Sequence, residues 1–146
     1  MIIIDPVVGL FKNHPMSFRR SFVFLALFAP LMIFLACSSG GTWQHYRFAA
    51  FEEARNRDMT IYLHFHDESD AASRKQKEIL ETLIKSKKFK GVGAYRVLLK
   101  KEKALETFAR VSSAPTLIVY RGQSERGRVG AEVDPTKLEK LLESGF

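Results

Sequence analysis

The residues most capable of chemistry lie together at His64-Phe65-His66-Asp67-Glu68-Ser69-Asp70. Two histidines two positions apart project to the same side of an extended segment, and carboxylates follow directly. Nitrogen and oxygen ligands from His64, His66 and Asp67 could therefore converge on zinc or a similar ion. Against a metal, the only other histidine after residue 37 is His45, far upstream, so two structural histidines are the competing reading. The next residues, Asp70-Ala71-Ala72-Ser73, open an amphipathic stretch in which Ser69 or Asp70 can cap a helix and the acidic side chains suit its unpaired N–H groups. The chain has a single cysteine, Cys37, in a different setting.

The elements that must position these residues follow from periodicity. Phe48, Phe51 and Ala54 recur at three-residue spacing in a helix over about 43–57. A strand covers 61–66, and a helix runs over 70–86 with Ile79, Leu80, Leu83 and Ile84 on one face. A second strand, 95–99, is expected at the centre of the sheet. Ala104, Leu105 and Phe108 mark a short helix that stops before Ser112-Ser113-Ala114-Pro115. Strands at 116–120 and 128–133 form a hairpin, and Asp134-Pro135 starts a last helix that turns Leu138, Leu141 and Leu142 inward. The order α-β-α-β-α-β-β-α predicts an α/β domain over 43–146, with a central mixed sheet of about four strands flanked by helices.

The first 36 residues carry an address. From Met16, Arg19 and Arg20 precede sixteen uncharged residues that end at Ala36, short of the roughly 20 a spanning helix needs and interrupted by Pro30. Residues 1–36 are expected to be a signal segment, with Met16 a well-formed alternative start. Ile33-Phe34-Leu35-Ala36-Cys37 resembles the bacterial lipobox, which implies that Cys37 is acylated, palmitate being one such chain, and becomes the mature N-terminus. Phe34 and Leu35 are bulkier than the usual residues there. Residues 37–42, with Gly40 and Gly41, are then a lipidated tether. Ser38 beside the cysteine favours the outer membrane, facing the periplasm, over inner-membrane retention.

The formal charge is +7, and Lys12, Arg19, Arg20 and Asp5 account for two of those charges, so most of the excess lies beyond Cys37 and suits an anionic membrane surface. The densest patch is Lys85, Lys87, Lys88 and Lys90. It lacks the series of aromatics that a base-stacking platform requires, and no nucleic-acid partner is expected.

The order of elements and three local matches resemble the thioredoxin family. Phe51-Glu52-Glu53-Ala54 leading to Ile61-Tyr62-Leu63-His64-Phe65 resembles its first helix and the strand feeding its active site. Ser113-Ala114-Pro115-Thr116-Leu117-Ile118 resembles the loop whose proline is cis, and Arg128-Val129-Gly130 with Pro135 and Leu138 resembles the edge strand and last helix. The family's Trp-Cys-x-x-Cys motif falls on Ser69 and on Asp70-Ala71-Ala72-Ser73, so Asp70 and Ser73 stand where the cysteines would be. Disulfide exchange needs a thiolate nucleophile and a second thiol, which a carboxylate and an un-ionised hydroxyl do not supply. The resemblance implies a binding groove beside the proline, with Phe65, His66, Ser113, Ala114 and Pro115 as its candidate residues.

The expectation is a redox-inactive, lipid-anchored thioredoxin-fold protein of the bacterial cell envelope. It is not an enzyme, takes no cofactor, and binds a protein or peptide. The alternatives are a metal or enzymatic site on His64, His66 and the acidic loop, or a structural or partner protein for an envelope oxidoreductase.

Overall fold

A computed structural model describes residues 40–146; the expected signal segment and Cys37 lie outside the described residues. The seven residues Thr60–His66 are β-branched, aromatic or apolar except for the two histidines, and every one of them is buried. This strand, β2 of the sheet, can be buried on both faces because its side chains alternate between two helical layers. Ile61, Leu63 and Phe65 enter one core with Phe51, Ala54, Tyr95, Val97 and Ile118. Tyr62 enters the other with Leu80, Ile84, Leu117, Leu138 and Leu142.

The remaining elements are β1 (Trp43–His45), α1 (Phe48–Asn56), α2 (Ala71–Leu83), β3 (Gly93–Leu98), α3 (Lys103–Ala109), β4 (Thr116–Arg121), β5 (Ser124–Gly130) and α4 (Pro135–Glu143), with a 3-10 turn at Lys87–Phe89. The sheet order is β1-β3-β2-β4-β5. β1 and β2 both run parallel to β3, whereas β4 is antiparallel to β2 and to β5. β2 climbs from Thr60 to His66 and α2 descends beside it, so the His66 end of the sheet and the start of α2 share one pole. The end of α2, the Lys87–Phe89 turn and the start of β3 share the other. Among the described residues no helix is long and apolar enough to cross a membrane.

The sheet has five strands rather than about four. Residues 43–45, expected to be helical, pair as an edge strand with Ala94, Tyr95 and Arg96. Three residues are too few to show a period, so the pairing is decided by β3 and by Trp43, whose Nε1–H donates to the Leu80 carbonyl at 3.2 Å. The central strand is therefore β2, with β3 between it and β1. β5 begins four residues before its expected start, because Glu125, Arg126, Gly127 and Arg128 form a solvent-facing edge with no apolar alternation. Phe48 is 69% exposed and only Phe51 and Ala54 of that spacing are buried; Phe108 is half exposed, beneath the Arg55 guanidinium. The last helix starts as expected, with the Asp134 carboxylate accepting from the Thr136 N–H at 2.9 Å.

Candidate functional site

The pole at the end of β2 gathers the residues singled out above. Asp70 is extended (φ −85°, ψ 129°) and caps α2, its Oδ2 accepting from the Ser73 N–H at 2.6 Å. Ser73 is buried, and its Oγ accepts from the Asp67 N–H at 3.2 Å. Both positions that face each other across the first turn are thus committed to closing the helix start. Asp70→Ala is expected to cost about 1 kcal/mol, the usual worth of an N-cap, and to lower the thermal midpoint; an unchanged midpoint would remove Asp70 from this role.

The acidic loop satisfies itself in the same way. The Asp67 carboxylate accepts from the Ser69 N–H at 2.9 Å and from the Ser69 hydroxyl at 2.6 Å, and these bonds hold its carboxyl below the usual range. Arg74 donates to the Glu68 carbonyl at 2.9 Å. His66, Asp67, Glu68, Ser73, Arg74 and Lys77 line a cavity of about 250 Å³ over this helix start.

His64 and His66 share a face, as expected, with rings stacked 5.7 Å apart at 26°. The Asp67 carboxylate accepts both Ser69 bonds through Oδ1, and among the described residues no three His, Cys, Asp or Glu side chains are grouped to hold an ion. His64 is fully buried, and neither ring nitrogen makes a hydrogen bond among the described residues. Burial pushes its pKa down to about 3, with the nearby His66 and Arg96 charges adding to the effect and the adjacent Gln76 amide opposing it. His66 is lowered as well, first by burial and then by Lys77 and Arg96. Both imidazoles are neutral at pH 7.

The Ala114–Pro115 bond is cis. Continuing the register of β2 and β4 past the Phe65–Thr116 pair sets His66 across from Pro115. The loop's neighbouring carbonyls are occupied: Pro115 accepts from the Ala131 N–H at 3.0 Å, and Ser113 from Thr116 Oγ1 at 2.8 Å. The peptide N–H and C=O of Ala114 make no hydrogen bond among the described residues. Ser113 is exposed, Ala114 half-buried and Pro115 buried. Phe65 is not part of a groove, because it is wholly buried in the core on the opposite face of β2.

Three further residues support the site. Gln76 is buried and its Nε2 donates to the Glu132 carbonyl at 2.7 Å, tying α2 to the segment before α4. Its place in the stripe Ser73, Gln76, Leu80 is the signal that it points inward. Trp43 lies edge-on to His64 at 5.9 Å, and Arg96 sits over Trp43 at 5.4 Å while pairing with Glu81 at 2.7 Å. Nothing in the sequence alone announced these contacts, which depend on the β1–β3 pairing.

No protein-family model and no curated protein matches the sequence. Solved structures do. Trxlp from Edwardsiella tarda EIB202 superposes with a TM-score of 0.67 at 25% identity, over 69% of this chain and 98% of that one. The thioredoxin of Malassezia sympodialis gives 0.64 at 15% identity, over 73% and 91%. That of Trypanosoma brucei brucei gives 0.59 at 18%, over 75% and 93%. With the sheet order and the cis Ala114–Pro115 bond, these likenesses show that the chain has the thioredoxin-like fold.

Proposed function

We propose that this protein is a redox-inactive thioredoxin-fold lipoprotein that binds an extended protein or peptide segment in the bacterial cell envelope. The observation that carries the reading is the Ala114 peptide, whose N–H and C=O have no partner among the described residues beside a cis proline. An extended ligand pairing with it would add a strand at the His66 pole, an interaction of backbone groups that requires no thiol. Redox exchange is set aside because Asp70 and Ser73 occupy the reactive positions as helix-closing groups, and the one cysteine, Cys37, is assigned to lipid. The lipobox-like 33–37 segment supports anchoring, and Ser38 favours the outer membrane.

The test is in-cell photocrosslinking from Ser113, with the exposed Lys140 on α4 as control. One dominant envelope adduct from Ser113 that is absent from Lys140 is expected. The same background from both positions, in folded protein, would reject the groove.

A further inference from the structure

The tether that would join Cys37 to the domain is very short. Gly41 is fixed to the end of α2, its N–H donating to the Ile84 carbonyl at 2.8 Å, and a Cβ at Gly40 would overlap the Lys85 carbonyl oxygen. Four residue steps separate Gly41 from Cys37, a reach of at most about 14 Å. An acyl group on Cys37 therefore brings the membrane surface to the end of α2 and not to some other part of the domain.

That pole is chemically distinctive. Residues 85–90, Lys85-Ser86-Lys87-Lys88-Phe89-Lys90, hold four exposed lysines and no acid. Lys88 is ion-paired with both Glu139 and Glu143 at 2.5 and 2.7 Å, so its charge is spent within the domain and one carboxylate charge is left over, which the other lysines of the segment outweigh. Lys85 and Lys87 are exposed and add to the cationic surface. Phe146, 63% exposed, lies at the same pole with its ring 6.2 Å from that of Phe89.

From this geometry, and resting on the lipid-anchor reading above, we propose that the Lys85–Lys90 pole docks on the anionic phospholipid surface that carries the protein's own anchor. The Pro115 loop is then presented away from the membrane. β2 sets the separation, since its six residue steps from the Thr60 end to the His66 end span roughly 20 Å. Fixed orientation is what the lysines supply, as a single tether leaves the domain free to roll while attraction between unlike charges holds one face down.

The experiment uses the full chain, expressed with its own leader and reconstituted into phosphatidylglycerol-containing vesicles, as Ser86→Cys and, separately, Ser113→Cys. Because acylation blocks the Cys37 sulfur, each variant should take up one thiol-reactive fluorophore per chain. A lipid carrying a headgroup quencher is expected to quench the probe at position 86 several-fold more than the probe at 113. The difference should shrink in 0.5 M salt, in phosphatidylcholine vesicles, and in a K85Q/K87Q background. One fluorophore per chain with equal quenching at the two positions would overturn the docking while leaving the anchor intact. Two fluorophores per chain would overturn the acylated anchor and the docking with it.

Discussion

Acidification from pH 7 to pH 4 is expected to cost the folded domain about 3 kcal/mol through His64 alone, a loss that a leucine at this position removes. His64 has an ordinary value of 6.5 and a folded value of about 3. Between those two values the unfolded chain binds a proton that the folded chain refuses, so stability falls as pH drops through the unfolded value and keeps falling toward 3. The charged groups around the ring add to the penalty, because His66, Arg96 and Lys77 are all cationic or become so in acid, and only the Gln76 amide works the other way. Urea titrations at a series of pH values read this directly. Carboxylates held low by hydrogen bonds, such as Asp67 and Glu132, also titrate in acid, so the informative quantity is the difference between wild type and His64→Leu. At pH 7 the leucine variant should be as stable as the wild type or more so, since it replaces two buried, unpaired ring nitrogens with apolar volume. An acid slope identical in both proteins would mean that His64 is protonated or solvated in the fold.

The histidines also show where sequence reasoning reaches the site and where it stops. That His64 and His66 share a face is a consequence of strand parity and needs no structure. The same parity places Phe65 on the other face, so assigning Phe65 and His66 to one groove contradicted information already present in the run IYLHFH. Asp70 as the helix cap and Asp134 as the next were legible because a cap is local: one side chain, one N–H two or three residues on. The long apolar runs of β2 and β4 were legible for the same reason. β1 was not, since a three-residue edge strand has no periodicity and is fixed by a partner some fifty positions later. β5 was misplaced because an exposed edge is built from charges and glycine, the residues that elsewhere mark a loop. The tie between Gln76 and Glu132, 56 residues apart, needed the tertiary structure, although the inward spacing of Gln76 was visible.

Phe51→Ala is expected to have the largest effect of any single truncation on α1, lowering stability by about 3–5 kcal/mol. Phe51 is 1% exposed and sits at the hub of an aromatic cluster, with Tyr46 at 5.7 Å, Phe108 at 6.2 Å, Tyr95 at 6.3 Å and Tyr120 at 6.5 Å, most of them edge to face. Its neighbours come from α3, β3, β4 and the turn before α1, so no single element can move inward to fill the space. Unrelaxed cavities are the costly kind. Phe108→Ala makes the contrast, since that ring is half exposed and its main partners are Phe51 and the Arg55 guanidinium 4.9 Å away; about 1 kcal/mol is expected there. Denaturant midpoints should separate the two variants with little change in slope. Because this cluster lies on the face of the sheet away from His64, His66 and α2, the folded Phe51→Ala protein should retain the crosslinking pattern from Ser113 at low temperature. A variant that stays folded yet loses that pattern would mean the proline loop depends on α1 packing, and the groove would then have to be placed on the α1 side of the sheet.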